Sequence, residues 1–147
     1  MLMKPLPLAW CIFLLSTSLL AGELPESAKT KPETFDWIAY VEDAGSTAGQ
    51  MSHAEEGVAL LSKRMNQILA DYRRLLESRK ETEVLHRMEE MQAAWKKAAD
   101  AEVAFIAAGW SEGSGAKAVP PRARMEACLR HVKDLLGMKA RCLALNE

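Results

Sequence analysis

Residues 51–80 read MSHAEEGVALLSKRMNQILADYRRLLESRK, and this stretch decides the fold. Apolar side chains stand at Met51, Ala54, Val58, Leu61, Met65, Ile68, Tyr72 and Leu75. The steps alternate three and four, so all eight fall on one stripe of an α-helix. Ser46 or Thr47, just upstream, is suited to cap its first turn, because a hydroxyl accepts from the free amides there. The stripe would next require Arg79, Thr82 and His86, none of which suits a core. Ser78-Arg79-Lys80-Glu81 also has the form of a capping box, so the spacing predicts a break near Ser78 and a new helix after it. The rival reading is one unbroken helix, since neither glycine nor proline lies between Val58 and Ala108.

Downstream, Val84, Met88, Met91, Trp95, Ala98 and Phe105 keep the helical rhythm, with Glu102 interrupting. Gly109 offers a left-handed stop. Residues 109–119 (GWSEGSGAKAV) form a glycine-rich loop, and Pro120-Pro121 suits the first turn of a third helix. That helix carries Met125, Cys128 or Leu129, Val132, Leu135 or Leu136, and Cys142 or Leu143, with Gly137 a point of bending or ending. No segment alternates with period two. Three amphipathic helices must cover one another's stripes, which predicts an all-α fold, a small antiparallel bundle of three main helices over residues 46–147. Upstream, residues 22–45 are expected as a flexible lead-in holding one short apolar segment, Thr34–Glu42, either helix or strand.

Residues 1–22 (MLMKPLPLAWCIFLLSTSLLAG) place one cation, Lys4, before an apolar run from Leu6 to Leu20 that ends in small residues. This is the order of a secretory signal peptide, and the run is shorter than the roughly 20 residues that span a bilayer. Cleavage near Ala21 is expected to give a periplasmic or secreted protein with no stable membrane insertion. It would remove Lys4 and Cys11, leaving 126 residues, charge −2, and Cys128 and Cys142 as the two cysteines. The whole chain of 147 residues has 19 basic and 20 acidic side chains, so no basic face favours nucleic acid. Cys128 and Cys142 are 14 residues apart, about 21 Å on a straight helix. A disulfide within the chain needs the helix to reverse near Gly137.

Little catalytic chemistry is legible. Glu83 and His86 have the Glu-x-x-His spacing of di-iron bundles, but no second copy follows. Cys128 and His131 share a helix face without the four ligands of a structural zinc site. Met51, Met65, Met88, Met91 and Met125 fall on core stripes, so packing accounts for them. The expectation is no enzyme, no metal and no cofactor. The 109–119 loop is the candidate contact: Trp110 is a large anchor, Ser114 a polar group and Lys117 a charge.

The chain from Gln50 to Leu143 resembles the lysozyme inhibitor LprI-like family of small exported helical domains. Met65-Asn66 matches its Leu-Asn pair. Residues 91–103 (MQAAWKKAADAEV) follow its signature helix, with Trp95 and Asp100-Ala101 matching. Gly113-Ser114 matches its glycine loop, and Met125–Leu129 its last helix, with Cys128 in place. His53 and Val103 stand where the family has cysteines. The resemblance implies structural roles for Trp95, Asp100 and Cys128, and a non-enzymatic binding protein whose partner is a lysozyme. A monomer or homodimer is expected. The competing expectation is an assembly module that self-associates through the Met51–Leu75 seam.

Overall fold

A computed structural model describes residues 23–110, 112, 113 and 115–144, and the side chains of residues 142–144 are outside the description. The expected signal peptide and Ser114 therefore lie outside the described residues. The chain runs α1 (Glu26–Thr30), a 3-10 turn (Pro32–Thr34), α2 (Trp37–Glu42), α3 (Thr47–Ser78), α4 (Thr82–Gly109), a second 3-10 turn (Ala116–Ala118) and α5 (Val119–Ala144). The fold is an all-α helical bundle, with no strand among the described residues. No helix among them is long and apolar enough to cross a membrane.

Helix α3 begins where its cap predicts: the Ser46 hydroxyl accepts from the Gly49 amide at 3.1 Å. Its buried side is Ala54, Gly57, Leu61, Met65, Ile68, Tyr72 and Leu76. Two details differ from the spacing. Gly57 joins the stripe, and Leu76 is buried where Leu75 is half-buried. A stripe repeating every 3.5 residues drifts around a 3.6-residue helix, so over seven turns the inward side moves on by one residue.

The break near Ser78 is present, but no capping box makes it. Ser78 donates its hydroxyl back to the Leu75 carbonyl at 2.7 Å, and Glu81 caps α4 with no side-chain bond. Lys80 instead turns the chain in the left-handed region, at φ 59°. The Glu81 amide then closes on the Leu76 carbonyl at 2.9 Å.

Helix α5 packs chiefly on α3 and uses Met125, Cys128, Val132 and Leu135, all at most 2% exposed. Pro120 and Pro121 lie in its first turn, as expected. It runs unbroken past Gly137, so the chain does not reverse there. Cys128 and Cys142 lie on one unbroken helix, and Cys128 is a free, buried thiol.

Two sequence expectations are corrected. Residues 23–42 are not a flexible lead-in: Leu24, Ala28, Trp37 and Val41 enter the core, and Trp37 is fully buried. Trp37, Tyr40 and Val41 have helical spacing, and the Asp36 carboxylate accepts from the Ala39 amide to cap α2. Trp37 donates its indole N–H to the Pro32 carbonyl at 2.7 Å, so its one polar atom is satisfied in the core. Glu33 and Arg64 form a two-pronged ion pair that ties this segment to α3.

The second correction concerns α4. Only Ala99 is buried there, while Met88, Met91 and Trp95 are half-buried and Ala98 and Phe105 face solvent. Gly109 remains in the helix rather than ending it in the left-handed region; Trp110 follows as the C-cap at φ −120°. Helix α4 is thus an outer member laid against a two-helix core.

Candidate functional site

The α4–α5 end of the bundle presents the candidate contact surface. Trp110 is 62% exposed at the end of α4, and Phe105, five residues earlier, is 81% exposed. Lys117 is exposed on the 3-10 turn that leads into α5. The expected loop pair Trp110 and Lys117 is therefore on the surface. Phe105 was hidden from sequence reading because its spacing follows Met88, Met91 and Trp95. The drift of the stripe around so long a helix carries it outward.

Behind Trp110 lies a cavity of about 340 Å³, lined by Val41, Ile106, Val119, Arg122 and Glu126 among others. Arg122 spans its edge, donating to Glu126 at 3.0 Å and to Glu42 at 2.9 Å. The bond to Glu42 ties the end of α2 to the start of α5, while that to Glu126 stays within α5. Trp110 is thus a large apolar group held at the rim of a shaped, charge-braced hollow.

Of the residues expected to be structural, Cys128 is buried, Trp95 half-buried and Asp100 exposed. The Trp95 indole stacks flat on the His131 imidazole, centroids 4.1 Å apart and planes 6° from parallel. His131 Nε2 lies 2.8 Å from the Gln92 side-chain oxygen. That oxygen only accepts, so Nε2 carries the proton. The Gln92 amide nitrogen donates to the Met65 sulfur at 3.3 Å. This chain joins α3, α4 and α5. Burial holds His131 below its ordinary pKa, opposed by the Asp134 carboxylate. Asp100 pairs with Arg124 of α5 on the surface. Burial pushes the Cys128 thiol up, with Ser62 and Arg124 opposing, so the residue is held as an unreactive thiol.

His53, at a position where the resemblance puts cysteine, is stacked on Tyr40 with centroids 3.9 Å apart, and its Nδ1 meets the Tyr40 carbonyl at 2.8 Å. Tyr40 donates to Glu56 at 3.0 Å. Its hydroxyl is pushed up to about 12, first by burial and then by that carboxylate. The stack pins α2 to α3, the kind of cross-link a disulfide would supply.

Glu83 and His86 are not brought together. Glu83 bonds Arg87 at 3.0 Å, and His86 faces Glu90 at 3.4 Å, all on exposed side chains. His131 is drawn to Trp95 and Gln92 rather than to the Cys128 sulfur. Among the described residues no group of three or more histidines, cysteines or carboxylates is placed to hold a metal ion. No family model, curated protein or solved structure matches the chain.

Proposed function

We propose that the chain is an exported, non-enzymatic helical binding protein that meets a protein partner at the α4–α5 end of the bundle. The observation that carries this reading is the pair of large aromatic side chains left in solvent there, Phe105 and Trp110. Isolated surface apolar groups are common, but a tryptophan beside a hollow is a favoured anchor for a partner. Export rests on the order of charge, apolar run and small residues in positions 1–22.

The resemblance to the lysozyme inhibitor LprI-like family makes a basic, animal-type lysozyme the first partner to test. Charge near zero neither repels such an enzyme nor draws it in strongly. In a turbidity assay, excess protein slows the clearing of bacterial cell walls by lysozyme. Trp110→Ala weakens this by about tenfold or more, a typical hot-spot loss. No slowing at large molar excess removes lysozyme as the partner.

The alternative, assembly through the Met51–Leu75 seam, requires that face to leave its intramolecular packing: Ala54, Leu61, Met65, Ile68 and Tyr72 are buried within the chain. Sedimentation at high protein concentration tests it, and a strict monomer removes it.

A further inference from the structure

The opposite end of the bundle holds a larger hollow. It is a groove of about 450 Å³ between the last turn of α3, the first turns of α4 and the second half of α5. Its walls include Leu75, Val84, Met88, Met91, Leu135 and Met138. The cause lies in the turn. Lys80 turns the chain in the left-handed region, and the first half of α4 then buries no side chain fully: Leu85, Met88, Met91, Gln92 and Trp95 are all half-buried. Val84 is left 48% exposed beside it. An apolar hollow of this size is within the range of small-ligand sites, roughly 300–1,000 Å³. Methionines make its walls adaptable to a flexible guest.

The mouth is charged unevenly. Arg87, on the lining, is paired with Glu83 and Glu90, both at 3.0 Å. Arg79, also on the lining, has no side-chain partner among the described residues. Glu81 stands on the same lining and disfavours a guest of higher negative charge. An apolar trough with one unpaired guanidinium complements a flexible hydrocarbon chain carrying a single carboxylate.

We infer that this groove binds one long-chain fatty carboxylate, its chain along the methionine wall and its head on Arg79. The site is separate from the Trp110 surface and does not depend on the partner proposed there.

Calorimetric titration of the whole protein with saturated carboxylates of increasing length, each below its micelle concentration, tests the inference. Binding is expected to saturate at one per chain. Affinity rises about fourfold per added methylene until the groove is full, then levels off. The carboxylate binds roughly five- to tenfold tighter than the alcohol of equal length, and Arg79→Gln brings the two to parity. Val84→Trp, at an exposed position, fills the mouth and abolishes binding while the helical circular dichroism stays unchanged. Four results each overturn the inference: no saturable binding, equal binding by the Val84→Trp variant, a carboxylate preference that survives Arg79→Gln, and uptake only as adsorption to micelles. A groove closed by a second copy would show as dimerisation lost in Val84→Trp with no carboxylate uptake, which overturns it as well.

Discussion

Among the described glycines, Gly57 leaves the least room for a side chain. A Cβ placed there would stand 2.8 Å from the Met125 side chain and 2.9 Å from the Trp37 ring, and both partners are fully buried. Alanine favours a helix over glycine by up to about 1 kcal/mol, but here the indole and α5 must move to admit it. Gly57→Ala is expected to destabilise by about 1–3 kcal/mol net, read as a lower urea midpoint at unchanged slope. His131 sets a second residue-scale effect. Desolvation holds its folded pKa below the ordinary value, and the Asp134 carboxylate only partly offsets this. As pH falls, the unfolded chain takes up the proton first, so stability drops as pH passes down through about 6.5 and levels off below the folded value. Urea midpoints measured from about pH 7 to about pH 5.5 show this fall, and His131→Gln flattens it. Neither effect is visible in spacing alone. The crowding at Gly57 comes from α5 and Trp37, which are remote in the sequence, and His131 reads as a candidate ligand until Trp95 covers it.

The helices differ in how firmly they are held. In α3 and α5 several side chains are fully enclosed, whereas α4 encloses only Ala99 and rests on the Trp95–His131 stack and the surface pairs Asp100–Arg124 and Glu102–Arg130. Amide hydrogen exchange is therefore expected to be fastest, among the long helices, in the first half of α4, and slowest around Leu61–Ile68 and Met125–Val132. Equal protection along α4 and α3 would contradict this. The stripe from Met51 to Tyr72, the Ser46 cap and the proline start of α5 were all legible in the sequence, because periodicity and capping act locally. The reading failed at α4, whose apolar positions are spaced as if for a core yet face outward at Phe105. At Thr34–Glu42 spacing leaves helix and strand open, and the surface that Trp37 and Val41 cover makes Trp37–Glu42 helical. The 109–119 loop stands out in the sequence for Trp110, but whether the indole folds back or faces solvent has no local signature, and the hollow beside it is assembled from α2, α4 and α5.

At the scale of the whole molecule, stability comes from packing without a covalent cross-link at Cys128. That thiol is buried and free, and Cys142 lies about 21 Å further along the same helix. The melting temperature of the protein is expected to be the same with and without reductant; a fall on adding reductant would require a bridge between two chains, since this helix geometry allows none within one. The Tyr40–His53 stack and the Glu33–Arg64 pair take over the fastening of the first segment. The dominance of α3 against α5 has a kinetic consequence. These helices are joined through about 40 residues of intervening chain, so bringing them together carries the entropy of closing a long loop before much apolar contact is gained. The rate of reaching the native state is thus set by substitutions on the facing sides of α3 and α5. Changes in α4, which settles onto the finished pair, act mainly on how fast the molecule comes apart.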